Sequence, residues 1–177
     1  TEVSRPLNDI LDEVNNLVEN GTKEIILLGQ NVNAYFYEDR DGNVVNFGLL
    51  LFYLCRNKGI KRIRYTSPHP RDFDDKLLNV MSKYQNICNY IHLPLQAGSS
   101  TVLKRMNRTY NREEFIDLVK KIRYYLPNCS ISTDIIVGFP GETEEDFLET
   151  IEMMKINKFN SAYMFKYSSR PGTKAAE

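Results

Sequence analysis

The chain has 177 residues, enough for one domain with a core of its own. Lysine plus arginine and aspartate plus glutamate both number 23, which excludes a chain-wide basic grip on nucleic acid or membrane but leaves an RNA substrate open. No apolar run reaches membrane-spanning length, and Thr1-Glu2-Val3-Ser4-Arg5-Pro6 lacks signal-peptide character, so the expectation is a soluble cytoplasmic chain with no membrane partner.

Pro6 stands where a helix starts, and Leu7, Ile10, Leu11, Val14, Leu17 and Val18 recur at helical spacing until Asn20-Gly21 ends the run. Glu24 to Gly29 reads as a buried strand, followed by the polar loop Gln30-Asn31-Val32-Asn33 and an excursion around Asp39-Arg40-Asp41-Gly42-Asn43. A helix is expected over Phe47 to Asn57 and a strand over Lys61 to Thr66. Ser67-Pro68-His69-Pro70 closes that strand, because two prolines forbid helix or ladder continuation. Asp74 to Tyr84 is a helix with Leu77, Leu78 and Met81 inward. Tyr90-Ile91-His92-Leu93 is a short strand running into Pro94-Leu95-Gln96-Ala97-Gly98-Ser99. Helices follow at Thr101 to Met106 and Arg112 to Leu126, the second with the stripe Phe115, Val119, Ile122 and Leu126. Ser130 to Val137 is a strand, Glu144 to Lys155 a helix capped by Thr143, and Ser161 to Tyr167 the last strand. A helix, then alternating strands and helices, gives an α/β fold with a parallel sheet and right-handed crossovers, either doubly wound or part of a barrel. The chain reads as one domain.

Each strand ends in a polar, turn-rich segment, and in parallel folds such ends converge on one face, where a polar small molecule with a nucleoside or amino-acid portion fits. The run Ser132 to Phe147 combines a β-branched strand, a turn broken by Gly138, Pro140 and Gly141, and a helix start. It is either a ligand floor or an ordinary strand-to-helix connection. His69 and His92 lie at strand ends and read first as hydrogen-bonding scaffold. Cys55, Cys88 and Cys129 are odd in number and far apart, neither a disulfide framework nor a metal knuckle, so each reads as a small buried hydrophobe in a reducing compartment. Lys58-Lys61-Arg62-Arg64 and Lys104-Arg105-Arg108-Arg112 are solvated flanks, unless Arg105 or Arg108 forks onto a carboxylate or phosphate.

Together, Ser4-Arg5-Pro6, Leu28-Gly29-Gln30-Asn31-Val32, Thr66-Ser67-Pro68-His69-Pro70, Ile91 to Ser99, Met106-Asn107-Arg108-Thr109-Tyr110, Ser132 to Phe147, Met164 to Ser168 and Arg170-Pro171-Gly172-Thr173 resemble one family. It is the radical S-adenosylmethionine methylthiotransferases. The Ser67 to Pro70 and Met164 to Ser168 stretches look most like the tRNA branch, which acts on isopentenyladenosine beside the anticodon. The branches acting on threonylcarbamoyladenosine in tRNA or on a ribosomal-protein aspartate look less similar. The resemblance implies a partial triosephosphate-isomerase-type barrel holding S-adenosylmethionine at its carboxyl-end face. It also implies two [4Fe-4S] clusters, one cleaving the cofactor so that the adenosyl radical takes hydrogen from adenine carbon 2. A tRNA anticodon stem-loop, a sulfur donor and an electron donor are the implied partners. By position, Gln30 and Asn31 would hold the methionine amino group. Ser67, His92, Gln96, Ser99 and Asp134 fall among the cofactor-facing strand ends, with Gln96, Ser99 and Asp134 toward ribose or carboxylate. Val137, Gly138, Phe139 and Tyr167 would line the adenine.

The family's radical cluster is bound by cysteines spaced Cys-x3-Cys-x2-Cys just upstream of the Ser4-Arg5-Pro6 match, where Cys55, Cys88 and Cys129 do not stand. The expectation is therefore the central part of the core domain. Its first strand, cluster loop, amino-terminal domain and RNA-binding domain would lie outside the sequence, and it would carry no metal ligands and be inactive alone. The alternatives are a non-catalytic nucleoside-binding or scaffold fragment, and a cluster-free lyase using His92 or Lys166.

Overall fold

Residues 3–173 and 175 are described by the computed structural model, and the chain falls into two units: residues up to Asn89 with Tyr125–Pro127, and Tyr90–Tyr124 with the chain from Asn128 onward. In the first unit, helix α1 (Leu7–Glu19) follows Pro6, whose fixed φ suits a helix entry. It stops at Gly21, in the left-handed region at φ 94°, whose N–H donates to Val18 O at 2.9 Å. Strand β1 (Glu24–Leu27) is followed by a hairpin, β2 (Phe36–Glu38) and β3 (Val44–Asn46), antiparallel with Phe36 opposite Asn46. The Asp39 carboxylate closes the hairpin turn, accepting from the N–H groups of Asp41 and Asn43. Only an excursion was expected there, because three-residue strands carry too little alternation to be read.

Helix α2 (Phe47–Cys55) is capped by Asn46, which accepts from Leu49 N at 2.9 Å, and α3 (Asp75–Lys83) by Asp74, which accepts from Leu77 N at 2.7 Å. Between them, β4 (Arg62–Tyr65) pairs in parallel with β1 from Glu24 opposite Arg62 to Leu27 opposite Tyr65. Ile63 extends that ladder by a parallel bridge to Ile87, a pairing the sequence did not suggest. Phe47, Leu50, Leu51, Leu54, Ile63 and Leu78 are buried, whereas Ile26, Arg62 and Arg64 on the other face of β1 and β4 are exposed, so the strand expected to be buried at Glu24 to Gly29 is covered on one face only.

The second unit holds β5 (Tyr90–His92), α4 (Ser100–Arg105), α5 (Arg112–Tyr125) up to Tyr124, β6 (Ser130–Val137), α6 (Glu144–Asn157) and β7 (Ser161–Lys166). Its sheet runs β5-β6-β7 with every pair parallel, so each connection is a helical crossover, as the alternation predicted. Side chains alternate along β6: Ile131, Thr133 and Ile135 are buried on one face, with Ser132, Asp134 and Ile136 on the other. The expected stripe of Phe115, Val119, Ile122 and Leu126 is buried. Arg123 anchors the carboxyl end of α6 by donating to Asn157 O and Lys158 O, at 2.5 and 2.8 Å.

Candidate functional site

The segment after β5 stays beside β6. Leu93 N donates to Ser132 O, Leu95 N to Thr133 Oγ1, and Gln96 N to Asp134 O, at 2.7, 2.9 and 2.8 Å. Ile136 N returns a bond to Gln96 O at 2.8 Å. Gln96 sits in this position at φ 74°, a left-handed conformation that costs a non-glycine residue about 1–2 kcal/mol. Ser67, at the end of β4 in the first unit, is likewise left-handed at φ 53° and exposed. Strained non-glycine residues at two strand ends are the kind of outlier that marks functional loops.

On the open face of β5 and β6, register sets His92 beside Ser132, with Asp134 one step further along. His92 Nδ1 lies 2.8 Å from Ser132 Oγ, and His92 Nε2 lies 3.2 Å from Asp134 Oδ2. Tyr90 Oη adds a contact of 2.6 Å to the same Ser132 oxygen. The ring of Tyr163, which pairs with Asp134 across β6 and β7, stands edge-on to His92 at 6.1 Å. The side chains of His92 and Asp134 are 25% and 27% exposed, so a ligand can reach both, whereas Ser132 is wholly buried. Tyr90 and Ser132 were not singled out from sequence. The signal was the period of two that puts Tyr90 with His92, and Ser132 with Asp134, on one face.

Where β6 ends, Val137, Gly138, Phe139 and Tyr167 gather. Tyr167 N donates to Val137 O at 2.8 Å, and the rings of Phe139 and Tyr167 meet edge to face at 5.2 Å. Gly138 is left-handed at φ 73°, and the Glu142 carboxylate folds back to accept from the N–H groups of Gly138 and Phe139. Tyr167 Oη donates to Ala175 O at 2.7 Å. These four residues make a half-open, largely apolar edge suited to a flat heterocycle.

Ser99 is placed differently. It is 2% exposed, and its hydroxyl donates to Asp146 Oδ1, so it ties the start of α4 to the start of α6 rather than facing solvent. Asp146 also completes the capping box with Thr143. The Ser99 hydroxyl, followed by the Thr143 bonds and Arg105, holds the Asp146 carboxyl below its ordinary range. Arg105 donates to Pro140 O at 3.1 Å, and Arg112 forks between Glu149 O and Glu152. Both cations therefore brace the fold locally.

In the first unit, Gln30 and Asn31 rim a cavity of ≈ 800 Å³ between α1 and β1. Asn33, buried and missed from sequence, donates to His69 O at 2.9 Å and accepts from His69 N at 2.7 Å. It thereby locks the loop after β1 to the loop after β4. Glu24 bridges Arg62 and Arg64 across the ladder, so these two arginines of the cluster are held by one carboxylate. Cys55 and Cys129 are buried, which pushes their thiols up to about 12 and about 11. Among the described residues no group of three His, Cys, Asp or Glu is placed to hold a metal ion, and no helix is long and apolar enough to cross a membrane.

Parallel strands with helical crossovers, and a polar pair and an apolar edge gathered at strand ends, define an α/β protein of the parallel-sheet class. The family description of the Radical SAM superfamily matches residues 1–154, and the chain belongs to that superfamily. It is 49% identical over 99% of its length to the tRNA-2-methylthio-N(6)-dimethylallyladenosine synthase of Syntrophomonas wolfei, of which it covers 39%. It is 51% identical to the protein of that name from Azobacteroides pseudotrichonymphae, with 99% of this chain and 38% of that one covered. For Treponema pallidum the identity is 48%, over 98% of this chain and 39% of that one. The chain thus spans about two fifths of the length of these curated relatives (39%, 38% and 39%). Among solved structures, the radical SAM enzyme coproporphyrinogen III oxidase from Escherichia coli superposes with a TM-score of 0.62 at 16% identity, over 96% of this chain and 39% of that one. That likeness shows the fold.

Proposed function

We propose that this chain is the core of a tRNA methylthiotransferase that inserts a methylthio group at carbon 2 of N(6)-dimethylallyladenosine beside the anticodon. The observation that carries the reading is 49% identity across 99% of the chain to a relative of that name. S-adenosylmethionine, when bound, supplies the adenosyl group for radical chemistry and the methyl group. The second unit fits that cofactor. Asp134 offers a reachable acceptor for ribose hydroxyls, held by His92, while Val137, Gly138, Phe139 and Tyr167 shield the faces of an adenine from water. Gln96 fixes the backbone that carries this edge. In the first unit, the amides of Gln30 and Asn31 and the exposed Ser67 are polar groups at the ends of β1 and β4.

The [4Fe-4S] clusters do not fit the described residues, because a cluster needs several thiolates together, whereas Cys55 and Cys129 are buried thiols, Cys88 stands alone, and no group of three His, Cys, Asp or Glu is placed to hold a metal among those residues. A tRNA anticodon stem-loop, a sulfur donor and an electron donor belong to the same reading as partners.

The test is a chimera in which this chain replaces the matched segment of the Syntrophomonas wolfei relative, produced in cells lacking their own methylthiotransferase. Mass spectrometry of tRNA nucleosides should show 2-methylthio-N(6)-dimethylallyladenosine. A folded chimera that binds S-adenosylmethionine yet leaves N(6)-dimethylallyladenosine unconverted would overturn the assignment.

A further inference from the structure

The open face of β5 and β6 carries an unbroken line of hydrogen-bonding groups. It runs from the Tyr90 hydroxyl, through Ser132 Oγ and the His92 ring, to the Asp134 carboxylate, with contacts of 2.6, 2.8 and 3.2 Å. Tyr90 is 40% exposed, Ser132 is fully buried, and Asp134 is partly open again. The line therefore begins in solvent, passes through the interior and ends at the reachable carboxylate.

The direction of every bond follows from the last one. As a carboxylate, Asp134 only accepts, so His92 Nε2 must carry a proton to donate. In the neutral ring Nδ1 then has a lone pair and must accept, and only the Ser132 hydroxyl faces it. Having donated to His92, the Ser132 oxygen accepts, and the Tyr90 hydroxyl is its donor. Ser132 is enclosed, so it has no water to turn to if the order is reversed.

We infer that Ser132, with Tyr90 behind it, is a positioning residue that fixes the Nε2–H tautomer of His92 and so aims Asp134 at a ligand's donor groups. Asp134 Oδ2 is committed to His92, which leaves its other oxygen to accept from the ligand. An aimed carboxylate attracts hydroxyl or amino donors and repels a ligand carboxylate, so of the two groups the sequence left open for Asp134 it selects the ribose diol. The identity of that ligand rests on the reading above, while the tautomer does not.

Two measurements test this in the full chain. The nitrogen-15 shifts of the His92 ring should show Nε2 protonated and Nδ1 bare in the wild type, and a ring protonated at Nδ1 alone overturns the inference whether or not any ligand binds. Calorimetry with S-adenosylmethionine then reads the coupling. Ser132→Ala should weaken binding about three- to tenfold, the scale of one hydrogen bond. In an Asp134→Asn background, the same Ser132→Ala change should cost nothing further. An equal loss in both backgrounds means that Ser132 acts only as packing and overturns the positioning role. A wild type with the Nε2–H tautomer and no affinity for S-adenosylmethionine instead removes the functional reading and leaves the tautomer standing.

Discussion

Gly98 and Thr150 meet backbone to backbone. A Cβ built on Gly98 would lie 2.3 Å from Thr150 Cα and 2.6 Å from Glu149 O, while the Gly98 N–H donates to Thr150 Oγ1 at 2.9 Å. The segment after β5 is thus pressed directly onto α6, and the same contact sets the position of Gln96 and Ser99.

Gly98→Ala should therefore be costly, because the obstructing atoms are main chain and α6 must shift as a body. A loss of about 1–3 kcal/mol is expected, read as a lower denaturant midpoint. Thr150→Val keeps the shape and removes the acceptor, leaving a buried N–H unpaired at a cost of about 1–3 kcal/mol. A Gly98→Ala protein as stable as the wild type would show that α6 does not rest on this segment.

Asn33→Ala breaks both bonds to the His69 backbone at once, since Asn33 donates to His69 O and accepts from His69 N. The His69 N–H loses the Asn33 acceptor in a half-buried loop, while His69 O keeps its bond from Asp72 N at 3.1 Å, and a cost of about 1–3 kcal/mol follows. Hydrogen exchange at the His69 amide should speed up markedly, while amides of β6 in the other unit keep their protection. Unchanged exchange at His69 would mean that the loops after β1 and β4 are held by something else.

Much of this was legible in the chain. Ile135-Ile136-Val137 announces a strand, although only Ile135 of the three is buried and the strand is not covered on both faces as expected; Asn20-Gly21 announces a helix stop and Thr143 a cap, because local sterics and local hydrogen bonds decide each of them. What stayed hidden depends on partners distant in sequence. The Asn33–His69 clamp joins residues 36 apart, and the Ser99–Asp146 bond residues 47 apart. Nothing in the neighbourhood of Ser99 distinguishes a hydroxyl that faces a ligand from one that ties two helix starts together. The Glu142 carboxylate that holds the Gly138–Phe139 amides was missed for a different reason: an acid just before a helix reads first as a dipole partner.

Cys55 and Cys129 should resist alkylation at pH 8 while the chain is folded. Burial raises their thiols to about 12 and about 11, so almost no thiolate is present, and the reactive form is the thiolate. Iodoacetamide followed by mass spectrometry should find both unmodified in the native protein and both modified in urea. Rapid native labelling of either would contradict its burial.

The Asp146 carboxyl sits below its ordinary range because it accepts from Ser99 and from the N–H and hydroxyl of Thr143, with Arg105 near its other side. A carboxyl lowered in the folded state binds its proton more weakly there than in the unfolded chain. Its stabilising contribution is therefore complete above the unfolded carboxylate range, about pH 4, and is lost as pH falls through the lower folded value. Asp146→Asn removes the charge but keeps a side chain that can still cap. Its denaturant midpoint should fall short of the wild type at pH 7, and the gap should close as pH falls below the ordinary carboxylate range. A gap that stays constant down to pH 2 would show that shape alone, without the charge, ties α4 to α6.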